Sequence, residues 1–294
     1  MLDPSFARER ICMRPRPLHR KFLLPVVLGL ALPASAAAAS DKPPATPAPA
    51  AFAAGKPAPA AQPRKATPEE RIEAERLDPL ARASFWAHEV DTDPRDAQAG
   101  VRLAAALRTL GRNDEAATTA EQVLVIDPAN RDALLEAARA HLAAGQGFYA
   151  IDPLNRLRAL DARDWRYVSL LGVAYEQVSR ADDAESAWRQ ALQMSPDNPA
   201  ILSNLAMHYA ARGQGSEAER LLRHAAAQPN ASVQVRQNLA LILGLEGKLS
   251  EAEQLERQDL PPELADANIA YLKAASSGPG PLAEAARTPI VATR

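Results

Sequence analysis

The sequence predicts an all-α solenoid of short helix pairs stacked one on the next. Three observations carry this. Small residues recur every 34 positions at Ala104, Ala138, Gly172, Ala206 and Ala240, and again at Ala116, Ala150, Ala184, Ala218 and Ala252. Between the two columns stands a turn column of Gly111, Gly145, Ser179, Gly213 and Gly247. Aromatic residues make up only 4% of the 294 residues, which suits stacked helices better than one compact mixed core. A fixed period of this length marks a repeat architecture, in which no unit buries its apolar face alone.

The register defines five units, at 97–130, 131–164, 165–198, 199–232 and 233–260. In the first, helix A is expected over about 97–110 and helix B over about 114–126, closed by Asp127-Pro128. A turn glycine accepts the left-handed conformation that ends helix A. The alanine columns let the paired backbones approach. Leu103, Leu171, Leu205 and Leu239 fill the space between neighbouring units. The second unit is irregular: His141 stands where Tyr175 and Tyr209 stand later, and Ala162 replaces the exit proline. Pro153 falls inside its expected second helix. Proline costs about 3 kcal/mol in a helix interior but suits the first helical position. The sequence therefore predicts a helix that starts late, at Pro153, or kinks there. In the fourth unit Pro229 comes one residue early, so that exit turn should differ.

Residues 67–96 read as N-terminal helices and a half-repeat. Thr67-Pro68-Glu69-Glu70 offers an N-cap, a first-position proline and first-turn acids. Trp86 shares a column with Trp188. Residues 261–275 form a capping helix, whose apolar stripe is Leu264, Ala265, Ile269 and Leu272. Residues 276–294 read as a flexible tail, and 40–66 as a Pro/Ala-rich disordered linker. Residues 1–39 combine a basic head, the apolar run Phe22–Leu32 and an alanine-rich exit, the pattern of a cleaved secretory signal peptide. The competing reading, a membrane anchor, needs roughly 20 apolar residues. Asp3 and Glu9 are unusual in a signal head, and translation starting at Met13 would remove them together with Cys12, the only cysteine. The first 40 residues hold six Lys/Arg against two Asp/Glu, and the rest hold 28 against 34. No basic surface for nucleic acid is implied.

Each unit resembles a tetratricopeptide repeat, so the fold class expected is an all-α tetratricopeptide-repeat solenoid, a right-handed superhelix. Three further blocks, DPLARASFWAHEVDTDP at 78–94, VRQNLALILGLEGKLSEAEQLERQDLPPE at 235–263 and ANIAYLKA at 267–274, resemble the TadD-like family of tight-adherence (Flp-type) pilus assembly. That resemblance implies an exported, periplasmic or outer-membrane-associated scaffold whose partners are pilus or secretion machinery. A generic periplasmic adaptor or chaperone is the alternative. Many members carry a lipid-attachment cysteine after the apolar run; this sequence has none there, so membrane association would pass through partners or an uncleaved signal.

The sequence offers no enzyme signature. His19, His88, His141, His208 and His224 are scattered without metal-ligand spacing, and no phosphate-binding loop or GxSxG is present. No catalytic residue, metal site, cofactor or small-molecule substrate is expected. His141 should be a packed, hydrogen-bonded residue, and Trp86 and Trp188 core. What remains is a partner groove on the first helices: Arg102, Arg108 and Arg139 at one end, Ser169 and Glu176 in the middle, and Ser203, Asn204, Met207, Gln237, Asn238 and Leu241 at the other. A clamp for a peptide's terminal carboxylate needs an Asn in the column that here reads Ala105, Arg139, Val173, Met207, Leu241, so that clamp is excluded. Asn204 and Asn238 recur 34 residues apart, able to bond either a partner's backbone or one another's stack.

Overall fold

A computed structural model describes residues 64–276. The signal, most of the linker and the tail fall outside the described residues. Among those described, the chain forms thirteen α-helices and no strand. The first helices of the five units are α3 (Ala97–Thr109), α5 (Arg131–Ala143), α7 (Trp165–Gln177), α9 (Pro199–Ala211) and α11 (Val233–Leu245). They begin where the 34-residue register puts them. The second helices are α4 (Asn113–Ile126), α6 (Gly147–Leu160), α8 (Ala181–Met194), α10 (Gly215–Ala226) and α12 (Leu249–Asp259). Asp96, Asn130, Asp164, Asn198 and Ser232 cap the first helices through their side chains, which fixes each start. The turn column closes them, with φ between 73° and 80° at its four glycines and 61° at Ser179.

The alanine columns are fully buried, and Trp86 and Trp188 are 1% and 0% exposed. Gly172 is a glycine for a packing reason. A Cβ there would lie 2.5 Å from Nε1 of Trp188. One apolar core runs continuously from Leu134 on α5 to Leu272 at the C-terminal end. Substantial helix contacts join only elements adjacent or next-but-one in the chain, as stacking requires.

Two expectations need correction. Of the two outcomes expected at Pro153, the late start does not occur: α6 runs from Gly147 to Leu160 with Pro153 inside. Packing outweighs the missing N–H. Leu154 and Leu157 are fully buried, and Gly147 sits so close to α7 that a Cβ would lie 2.6 Å from the Ala174 carbonyl. The end of the linker is also fixed rather than loose. Ala66 N–H donates to Glu89 at 2.9 Å, and Arg64 pairs with Glu70 at 2.7 Å. Thr67 and Glu70 then form a capping box that opens α1 (Pro68–Ala74). Trp86 lies on α2 (Pro79–Thr92). In unit four, α10 ends at Ala226, two residues short of the register set by α4, ahead of Pro229. At the C-terminus α13 (Pro262–Ser276) buries Ala265, Ile269 and Leu272, whereas Leu264 of the expected stripe is exposed.

Candidate partner-binding face

First helices of successive units touch in three of the four pairs, α3 with α5, α7 with α9 and α9 with α11, while successive second helices make no comparable contact. A stack drawn together along one layer and spread along the other curves, with the first helices inside. The expected groove residues all lie on this inner layer.

At its N-terminal end Arg108 Nε and Arg139 Nη1 each donate at 2.9 Å to one carboxylate, that of Glu136. Glu136 is 7% exposed, so its charge is enclosed and the pair of guanidiniums keeps one net positive charge. Arg102 is more open, its Nε 3.6 Å from Glu75. The basic character read from the sequence persists, reduced by two carboxylates.

The middle of the face is committed to the stack. Ser169 is buried, and its carbonyl accepts from Trp188 Nε1 at 3.1 Å. Glu176 lies 2.7 Å from Nδ1 of His208. Sequence reasoning missed His208. It interrupts the otherwise apolar column Ala106, Ala140, Ala174, Ile242, and that break was the available signal. It is fully buried, T-shaped against Trp188 at 5.4 Å, with Nε2 3.6 Å from Glu185. His141 is buried as expected, between Gln146 and Glu121 at 2.9 Å each.

At the C-terminal end the two recurring asparagines separate in role. Asn238 donates to Ser203 Oγ at 2.9 Å and accepts from Gln234 at 3.0 Å, so it joins α11 to α9. Asn204 is 8% exposed, yet its side-chain amide makes no hydrogen bond among the described residues. Met207 on α9 and Gln237 and Leu241 on α11 are half-buried. The face thus combines an uncommitted amide with partly open apolar side chains. A metal-holding group of His, Cys, Asp and Glu is absent among the described residues.

A tetratricopeptide-repeat family model matches residues 177–242. The fold is a tetratricopeptide-repeat solenoid. A thermophilic tetratricopeptide-repeat protein of Thermus thermophilus, TTC0263, is similar in structure. It is 25% identical, with a TM-score of 0.54 over 60% of this chain and 99% of that one. MamA of Desulfovibrio magneticus RS-1 is 19% identical, with a TM-score of 0.49 over 54% of this chain and 90% of that one. No curated protein matches the sequence. The family match runs from the end of α7 in the third unit, through the fourth, into α11 of the fifth.

Proposed function

We propose that this chain is a non-enzymatic protein–protein interaction scaffold of the bacterial envelope, assisting assembly or localisation of tight-adherence pilus or secretion machinery. The observation that carries the interaction role is Asn204. Its side chain is mostly enclosed, its amide bonds nothing in the stack, and the amide atoms keep access to the face, so a partner's backbone can reach and bond them. It lies among partly open apolar groups on the inner layer of a solenoid, where a partner segment would lie. The terminal blocks resembling the TadD-like family support the pilus assignment. The signal-like N-terminus supports export.

The test separates Asn204 from Asn238, because the latter holds the stack together. Asn204→Ala with Met207→Asp should leave helical content near wild type and abolish partner capture and surface pilin. Unchanged pilus assembly by a folded double variant would refute the groove reading. For export, the mature N-terminus should fall between Ala37 and Asp41 by mass spectrometry of envelope fractions. Recovery with cytoplasmic markers would overturn it.

A further inference from the structure

The N-terminal half-repeat leaves an opening that full repeats lack. In register, its first helix would span 63–75, one period before α3, but α1 covers only Pro68–Ala74. Beside it, between α1 and α3, is a cleft of about 480 Å³ whose lining includes Trp86, Ile72, Glu75, Gln98 and Arg102. Trp86 is 1% exposed, yet its Nε1–H has no hydrogen-bond partner. Trp188, three repeats later, donates the same group to the carbonyl of Ser169. The position matching Ser169 is Thr67, whose carbonyl accepts from Arg71 N–H at 3.0 Å in the first turn of α1. In the half-repeat the indole N–H is left without the acceptor that Trp188 has.

The cleft also holds an unmet acceptor. Oε1 of Glu75 is buried without a hydrogen-bond partner, with Arg102 Nε at 3.6 Å. Trp86 Nε1–H, without a partner, and Glu75 Oε1, held only by the 3.6 Å contact of Arg102, line one cleft and define the ligand chemistry. A carboxylate would satisfy Trp86 and meet Arg71 and Arg102, but would leave Glu75 Oε1 without a donor. An ammonium would satisfy Glu75 but offer Trp86 nothing and face Arg71 and Arg102. An amide group both accepts and donates. Arg102, half-exposed at the rim and held by one long contact, suits an acidic neighbour of that amide.

We propose that this cleft is a peptide-binding subsite for one amide of a partner segment. The amide carbonyl accepts from Trp86 Nε1, its N–H donates to Glu75 Oε1, and an adjacent acidic side chain pairs with Arg102. This rests on the reading of the inner layer as a partner groove and gives that groove an anchor at its N-terminal end.

The test uses the full chain labelled with ¹⁵N at its tryptophan indoles, assigned by single Trp→Phe variants. The probes are N-acetyl-glutamate N-methylamide and its glutamine counterpart. The Trp86 N–H signal should shift saturably with both probes, while that of Trp188 stays. Arg102→Ala should weaken the glutamate probe about 5–10-fold and the glutamine probe less than about 2-fold. Glu75→Ala should weaken both about 5-fold. Both side chains are partly exposed, so these variants keep the fold, whereas Trp86 belongs to the core. A stationary Trp86 signal overturns the proposal, as does a shift that both variants leave untouched. If the probes fail while Asn204→Ala with Met207→Asp still loses its partner, the subsite falls and the groove reading stands. If the probes bind as expected while that variant keeps its partner, the subsite stands and the C-terminal groove falls.

Discussion

Ser179 holds a left-handed φ of 61°, alone among the described residues other than glycine. A Cβ in that conformation costs roughly 1–2 kcal/mol, offset in part by the larger entropy that glycine loses on folding. Ser179→Gly should therefore stabilise the chain by about 0.5–1 kcal/mol, read as a higher urea midpoint at unchanged slope. The reverse exchange at Gly172 has no such slack. Its added Cβ would press on the Trp188 ring, which is itself bonded to Ser169, so Gly172→Ala should cost about 1–3 kcal/mol. Charge gives a third residue-scale expectation. Burial pushes the Glu219 carboxyl up, but Lys248 and Arg223 outweigh it and hold the group down, to about 2. A carboxyl whose folded pKa is lowered adds stability above its ordinary pKa and loses it as pH falls through the folded value. The urea midpoint should thus drop between about pH 4.5 and 2, and drop less in Glu219→Gln. An identical acid slope in that variant would remove Glu219 from the account.

At the scale of elements, the helix starts were legible because side-chain caps and turn glycines are local features. The alanine columns were legible because a packing constraint repeats with the register. The late start at Pro153 does not occur because the proline's local cost is real but smaller than the packing of the helix around it. Leu154 and Leu157 are buried without residual exposure between α5 and α7, and Gly147 lets α6 begin in contact with α7. Leu154→Ala should therefore cost about 2–5 kcal/mol. It should also speed hydrogen exchange more at residues 150–152 than in α8, since the first turns of α6 depend on that packing. Equal exchange in both helices would mean that α6 holds itself. The partners of polar groups were not legible. Arg71 reaches Glu89 on α2 and Asp96 at the cap of α3, which pins the half-repeat and joins residues 18 and 25 positions away. Nor does the repeat register distinguish Asn204 from Asn238, which occupy equivalent columns. Both have a serine 35 residues earlier, Ser169 and Ser203, but Asn238 alone has a glutamine four residues before it, Gln234, where Asn204 has Ala200.

On the scale of the whole molecule, stability and recognition divide between the two layers. The second helices carry paired surface charges, such as Arg223 with Glu219 at 2.8 Å and Arg257 with Glu253 at 2.9 Å. Exposed pairs of this kind contribute little stability. The inner layer carries the unbonded amide of Asn204 at one end and a basic stretch from Arg102 to Arg139 at the other, beside the cleft lined by Trp86 of α2 and Glu75. Recognition through the inner layer is tested most directly by site-specific photo-crosslinking in the cell. A photoreactive phenylalanine replaces Met207 or Leu241 on the inner layer, or the exposed Gln190 on the outer helix α8. The account predicts a discrete protein adduct from Met207 and Leu241 and none from Gln190. Adducts from Gln190 with none from the two inner positions would contradict it.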